Sequence, residues 1–355
     1  MDWTTTEWDS SCHNSTAFNN ATVGFRDRAG VVHAVWAEGS SVKTNHGTAP
    51  LFRDSGPVRQ PTILSDSECD LVGAAWILKT AENTREIRLL AYTGPRVGWQ
   101  RNARTIHRGS IEPSLAGYAY SPGLEGSHAK SRILLGWHDG RNVWVYDSQT
   151  KRKQNLSALL RDKSSFITLG GHQANVCAAW NCEDNRTIMF RISADGGVTW
   201  DRPRVLLDAP PVRDPSVVVT PDGTLYLGAH MPAAGATGRT IHVFKGVPST
   251  GGEYHWEGLG GGALDDGRFA RVAFDPVAGL WVAYEKDALD DRIGLRRYDD
   301  ATGSFLAESP AVAVTSPFPS VAVSPTKVDI FSLQPCPGPS PSEKEGRFVY
   351  LGAEI

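Results

Sequence analysis

The chain has 355 residues, a formal net charge of −3 and 21% charged residues. No basic surplus is present to hold a phosphate backbone, which sets nucleic acid aside as a partner. No apolar run approaches the roughly 18–20 residues that span a bilayer, so a membrane is set aside too.

Glycine (36), proline (22) and tryptophan (11) point to many turns and many half-buried aromatics. The first residues, Met1-Asp-Trp-Thr-Thr-Thr6, have neither the basic start nor the apolar core of a signal peptide. Sequons stand at Asn14, Asn20, Asn155 and Asn185. Chance gives about two at this composition, and the excess hints at a secreted glycoprotein. Of the five cysteines, Cys177 and Cys182 flank a short apolar segment. They either bridge or remain buried thiols. Cys12, Cys69 and Cys336 complete the set, and no spacing suits zinc or an iron–sulfur cluster.

In chain order, Thr4–Trp8 is an alternating segment ending in tryptophan. Pairs of alternating strands follow. Ala21–Phe25 precedes Val32–Trp36, Pro61–Leu64 precedes Leu71–Trp76, and Pro113–Gly117 precedes Ile133–Trp137. Phe166–Leu169 then precedes Val176–Trp180. Asp214–Thr220 and Thr224–His230 are joined by a Pro-Asp-Gly turn. Phe269–Phe274 precedes Leu280–Tyr284, and Pro319–Val323 precedes Asp329–Phe331. Third strands are expected at Ile87–Tyr92, Val143–Tyr146, Ile188–Ile192, Ile241–Phe244, Ile293–Tyr298 and Phe348–Tyr350.

These units recur roughly every fifty residues, the period of propeller blades. The fold expected is all-β: one seven-bladed β-propeller over residues 1–355, with six blades as the alternative count. Radial closure leaves only short, protected edges. The last unit stops soon after its third strand, so Thr4–Trp8 is expected to complete it as the outer strand and fasten the ring. Trp36, Trp76, Trp137, Trp180 and Tyr284 end second strands and are expected to stack between blades as core.

After the third strand Ile188–Ile192 comes Ser193-Ala-Asp195-Gly-Gly197-Val-Thr199-Trp200. This closely resembles the Asp box, Ser-x-Asp-x-Gly-x-Thr-Trp, of the sialidase-like β-propeller superfamily. Thr93–Trp99 and Ser249–Trp256 resemble decayed copies. The residues suit a structural turn: aspartate caps backbone amides, glycine takes positive φ, tryptophan packs into the blade. The resemblance implies fold rather than chemistry. Sialidases have six blades, three arginines on a substrate carboxylate and an early Arg-Ile-Pro; the nearest segment here is Phe25-Arg26-Asp27.

Ligands of propellers usually sit at one mouth of the central channel, where inner strands start and second strands end. Strand starts supply Arg59, Gln60, Glu112, His172, Gln173, Arg213, Asp214, Arg268 and Arg271. Loops after second strands supply Glu38, His138, Asp139, His230 and Glu285. These residues differ from unit to unit, which fits one asymmetric site better than a multivalent lectin. His172, His230, Arg213 and Glu112 are the catalytic candidates. Arg59, Gln173, Asp214, Arg271, His138 and Glu285 are the substrate-binding ones. Histidine, arginine and carboxylate suit acid–base elimination or hydrolysis of a hydroxylated substrate, a small molecule or a carbohydrate, with neither cofactor nor metal. Seven-bladed polysaccharide lyases use similar residues. The alternatives are a secondary-metabolite cyclase (dehydration and a hetero-Diels–Alder-type closure) and a carbohydrate-binding lectin.

Overall fold

A computed structural model describes residues 1–16, 20–66, 70–110, 113–122, 131–182, 187–207, 212–233, 238–250, 252–286, 293–308, 318–334, 336 and 345–355. Strand Arg213–Val219 turns back into Leu225–Pro232 at Thr220–Thr224, and its Pro-Asp-Gly shows why. Gly223 has φ +84°, and its N–H donates to Thr220 O at 3.0 Å while Asp222 Oδ1 accepts from Thr224 N–H at 3.2 Å. Every strand pairing among the described residues is antiparallel.

Three sheets consist of four consecutive strands, beginning with Val58–Ser65, Ala116–Tyr120 and Ser164–His172. Two larger sheets each join two such runs. The run from Arg213–Val219 meets the run from Asp265–Asp275 through Thr240↔Asp266 and Ile241↔Asp265. The run from Ser320–Ser324 takes the N-terminal strand Trp3–Ser15 as its fourth member. That strand also pairs Asn14↔Glu38 and Ser15↔Ala37 with the neighbouring run, which starts at Gly24–Arg26. The first strand of each run packs beside the first strand of the next, and Gly24–Arg26 touches both Val58–Ser65 and Ser320–Ser324. This is a propeller-type arrangement of small sheets around an axis.

The core lies between sheets. Trp76 packs with Phe25, Val35 and Leu78, while Trp137 packs with Leu64, Ile87 and Leu135. Trp36, Trp76, Trp137, Trp180 and Tyr284 are 0–3% exposed, each filling the gap to a neighbouring sheet. Some of the indoles are also tethered: Trp36 and Trp76 donate to Asp9 and Asp54 at 3.0 and 3.1 Å.

The N-terminal strand is held in two ways. Trp8 stacks on Tyr350 with centroids 4.7 Å apart, and Cys12 is disulfide-bonded to Cys336. The alternative of a Cys177–Cys182 bridge is resolved against: both are buried thiols outside any disulfide. They lie on one strand, Asn175–Cys182, five residues apart, so they face opposite sides roughly 16 Å from each other. Cys69 lies outside the described residues.

The sequon argument also weakens. Asn14 and Asn20 are buried, with their amide nitrogens donating to Ser11 O at 2.8 Å and Ile167 O at 2.7 Å. Neither is a glycan acceptor in the folded chain. Asn185 lies outside the described residues.

The Asp-box-like turn is built as its residues dictate. Thr199 N–H and Oγ1–H donate to the two oxygens of Asp195 at 2.8 and 2.6 Å, and Ser193 Oγ accepts from Gly197 N–H at 2.7 Å. Burial disfavours the Asp195 charge, but these donors outweigh it and hold the carboxyl below the usual range. Gly196 has φ +70°, and a Cβ there would stand 1.5 Å from Tyr120 Oη of the adjacent sheet.

Candidate functional site

The innermost strands share a local defect. Register shifts fall at Arg59/Thr62, Ser165/Thr168, Arg213/Ser216 and Arg268/Arg271. Within each lies a non-glycine residue in the left-handed region: Gln60 (φ 47°), Phe166 (53°), Asp214 (54°) and Phe269 (57°). Each is a β-bulge that redirects one side chain near the start of its strand. Such conformations cost on the order of 1–3 kcal/mol each and cluster at functional sites. Two residues further on stand Thr62, Thr168, Ser216 and Arg271, all buried.

Below the bulges the middle of the molecule is polar. Thr62 Oγ1 donates to Thr22 O at 2.9 Å, Arg271 Nη2 donates to Thr22 Oγ1 at 2.6 Å, and the Asn20 amide reaches Ile167 O. Burial pushes the Arg271 guanidinium down to about 10, so it remains a cation at neutral pH.

The densest chemistry sits beside the bulge at Asp214. His230, 2% exposed, pairs in register with Arg213 across the adjacent strand. Its Nε2 lies 3.4 Å from Arg239 Nη1 and 3.7 Å from Asp214 Oδ2. Its Nδ1 is buried without a hydrogen-bond partner. The ring edge meets Phe269 at 6.0 Å, and Arg268 lies 5.1 Å over the Phe269 ring. Burial first, then the fields of Arg239, Arg213 and Arg268, push His230 down to about 3. It is therefore a neutral imidazole at physiological pH. Asp214 is clamped by Asn181: the Asn181 amide donates to Asp214 Oδ1 at 3.1 Å, and Asp214 N–H donates to Asn181 Oδ1 at 3.0 Å. Arg268 is bound to Glu285 at 2.7 Å.

Of the expected site residues, the structure gathers Arg213, Asp214, His230 and Glu285 around the Asp214 bulge. Arg271 sits beneath it, in the polar middle. Arg59 is exposed at the corresponding start of its own strand, and His138 is half-buried where its second strand ends. Glu38 is held by Lys43 at 2.5 Å, and Asp139 caps its own hairpin and accepts from Trp144 Nε1 at 2.7 Å. Arg26 binds Asp329 at 2.6 Å, a tie between neighbouring runs rather than a substrate contact. Glu112 lies outside the described residues.

His172 and Gln173 are misplaced by the sequence reading. His172 does not open its strand: it closes Ser164–His172 and pairs with Asn175 across a tight turn. That end is roughly 26 Å along the strand from Ser164, the end near which Asn181 holds Asp214. There the Gln173 carbonyl accepts from Tyr118 Oη–H at 2.8 Å. The strand expected to end at Leu169 runs on through Gly170-Gly171, which carries His172 to its far end.

Two contributors went unread. Asn181 follows Trp180 as His138 follows Trp137 and Glu285 follows Tyr284, so the register itself marked it. Arg239 opens the third strand, across the same hairpin from His230, at an edge of the mouth the reading passed over. Among the described residues no group of three or more His, Cys, Asp or Glu is placed to hold a metal ion.

A buried imidazole kept neutral among arginines presents an unprotonated nitrogen where negative charge is stabilised, its basicity lowered by that same positive field. No protein-family model matches the sequence, and no curated protein does. Among solved structures, the chain is similar to hydrazine synthase of Kuenenia stuttgartiensis: 12% identity, 90% of this chain and 94% of that one, TM-score 0.56. It is also similar to a protein of unknown function from Dyadobacter fermentans: 12% identity, 99% and 98% covered, TM-score 0.55. The NanB sialidase of Streptococcus pneumoniae follows more distantly, with 13% identity, 81% and 52% covered, and TM-score 0.42, too slight to bear on chemistry. The first two likenesses, together with the ring of small sheets, define a protein of β-propeller type, and at such identity they speak of fold alone.

Proposed function

We propose that the chain is a single seven-bladed propeller whose ring is closed by the N-terminal strand, and that it is an enzyme working at the Asp214–His230 mouth. The cyclic succession of first strands and the pairing of Trp3–Ser15 with Gly346–Glu354 support the closure. The Cys12–Cys336 disulfide supports an oxidising, secretory location.

The observation that carries the function is His230, buried, neutral and flanked by Arg213, Arg239 and Arg268. This suits elimination from a hydroxylated, acidic substrate of the carbohydrate class. A substrate carboxylate would lie against Arg213 and Arg239. His230 Nε2 would take the proton from the adjacent carbon, that electron pair would form the C=C bond, and the C–O bond beyond it would break. The leaving oxygen would be protonated by solvent. The arginines would hold the negative charge that develops on the carboxylate during proton removal. Such chemistry requires no cofactor.

The test is turnover on pectate, alginate and chondroitin sulfate beside neutral dextran, read by the ultraviolet absorbance of the new double bond. His230→Ala is expected to lower the rate by roughly 10²–10⁴. His172→Ala, at the far end, should leave it unchanged. Full activity in His230→Ala, or turnover of neutral and acidic polymers alike, would exclude the assignment.

A further inference from the structure

We propose that Arg239 is a displaceable cap on the base: its guanidinium covers His230 Nε2 until an anionic group of the substrate draws it away. This rests on the reading of His230 as base and adds how that base is switched on. Arginine has only donors, so the 3.4 Å contact makes Nε2 an acceptor and puts the ring proton on Nδ1. The atom that must take the substrate proton is thus already occupied in the free protein. The contact is long for a hydrogen bond, and so weak.

The surroundings say what could remove it. His230 is faced by Arg213 and Asp214 from its inner strand, by Arg239 from the third strand, and by Arg268 and Phe269 from the next inner strand. Arg268 is engaged by Glu285, and Asp214 by Asn181. Arg239 has no carboxylate within ion-pair distance among the described residues, and the same holds for Arg213. Both side chains belong to exposed residues at the mouth. An anion arriving there finds these two guanidiniums ready, and a bidentate contact with Arg239 is stronger than its long bond to an imidazole. Engagement would uncover the Nε2 lone pair and cancel part of the positive field that holds the imidazole neutral. The base would gain strength only when an acidic group is in place, which would make charge on the substrate a condition for proton abstraction.

The experiment is nitrogen NMR of the full-length chain at pH 7, with His230 assigned by its loss in His230→Gln. Inorganic sulfate is the probe, against chloride at matched ionic strength. In the intact protein the ring is expected to show one dominant tautomer, protonated at Nδ1. Arg239→Gln should shift the Nε2 resonance and mix the tautomers, and sulfate should produce the same change in the intact chain. Arg213→Gln, which removes field but no contact, should leave the tautomer in place. Identical His230 nitrogen shifts in Arg239→Gln and the intact chain would overturn the cap. Shifts that move in Arg239→Gln but ignore sulfate would overturn its displacement by anions. Turnover lost in His230→Ala alongside unmoved shifts in Arg239→Gln would leave the base standing and remove the cap. Moved shifts with no turnover of any acidic polymer would do the reverse.

Discussion

At one end of the inner strands the chain reverses within a few residues, as at Thr220–Thr224 and His172–Asn175, and its carbonyls are bonded both within the turns and by the hydroxyls of Tyr254 and Tyr118 from other segments. At the other end the same strands bulge. There Asp214 and Phe269 are held left-handed, Asn181 ties Asp214 from the neighbouring sheet, and His230 is kept neutral by burial and nearby arginines. The strands are alike along their length, so the contrast arises at their termini. One end is built from tight turns whose exposed carbonyls find donors. The other depends on partners drawn from several sheets, and among the described residues it keeps two arginines without carboxylate partners at its edge. Strain and uncompensated burial cost stability; Gln173 at the turn end is left-handed too, but the four bulges and the buried His230 stand together at the other end, which fits the site proposed there.

That contrast can be broken by measurement. The largest effect should be on acid stability. Burial and the nearby arginines lower His230 in the folded chain to about 3, against the 6.5 of an ordinary histidine. Above 6.5 neither folded nor unfolded form is charged there. Between 6.5 and 3 only the unfolded form takes up the proton, so stability falls as pH falls, by up to about 5 kcal/mol from this group. His230→Gln should flatten that slope in urea titrations at successive pH values, and an unchanged slope would show that burial at the mouth is not what opposes the charge. Next in size, Gly196→Ala at the far end forces a left-handed side chain into Tyr120. It should destabilise by about 2–4 kcal/mol in thermal melts while leaving selectivity for acidic substrates intact. The smallest effect sharpens the same line. Asp214→Gly relieves backbone strain but removes the acceptor for the Asn181 amide, so the two should offset and leave stability within about 1 kcal/mol of the intact chain. A loss of several kcal/mol in the same melts would mean that the bulge is not strained.

The β-rich architecture was legible because alternating apolar residues and Pro-Asp-Gly turns are local signals, and the tryptophans mark the gap between sheets. The Asp-box-like turn was legible for the same reason, since the bonds made by its Ser193 and Asp195 side chains lie within Ser193–Thr199. The mouth was legible only in part. His230 and Asp214 followed from counting along strands, but the bulges shift that count, and a bulge follows from no single residue type. Gln60, Phe166, Asp214 and Phe269 have nothing in common but their place. Contacts between distant segments stayed hidden for a related reason. Cys12 and Cys336 are separated by 324 positions, and the nearer pair, Cys177 and Cys182, drew attention by proximity in sequence, which on one strand keeps side chains apart.

The four left-handed residues carry a consequence for redesign. Each bulge is set by backbone geometry and holds one side chain near the start of an inner strand, but that side chain is also engaged: Gln60 is buried, Asp214 is bound to Asn181, and Phe269 lies against Phe318 and His230. Glycine would relax the backbone at any of the four, and asparagine would tolerate the conformation while changing the group displayed. The frame is thus fixed while the letters on it are tied to their neighbours, and a new ligand preference written there must replace those contacts as well.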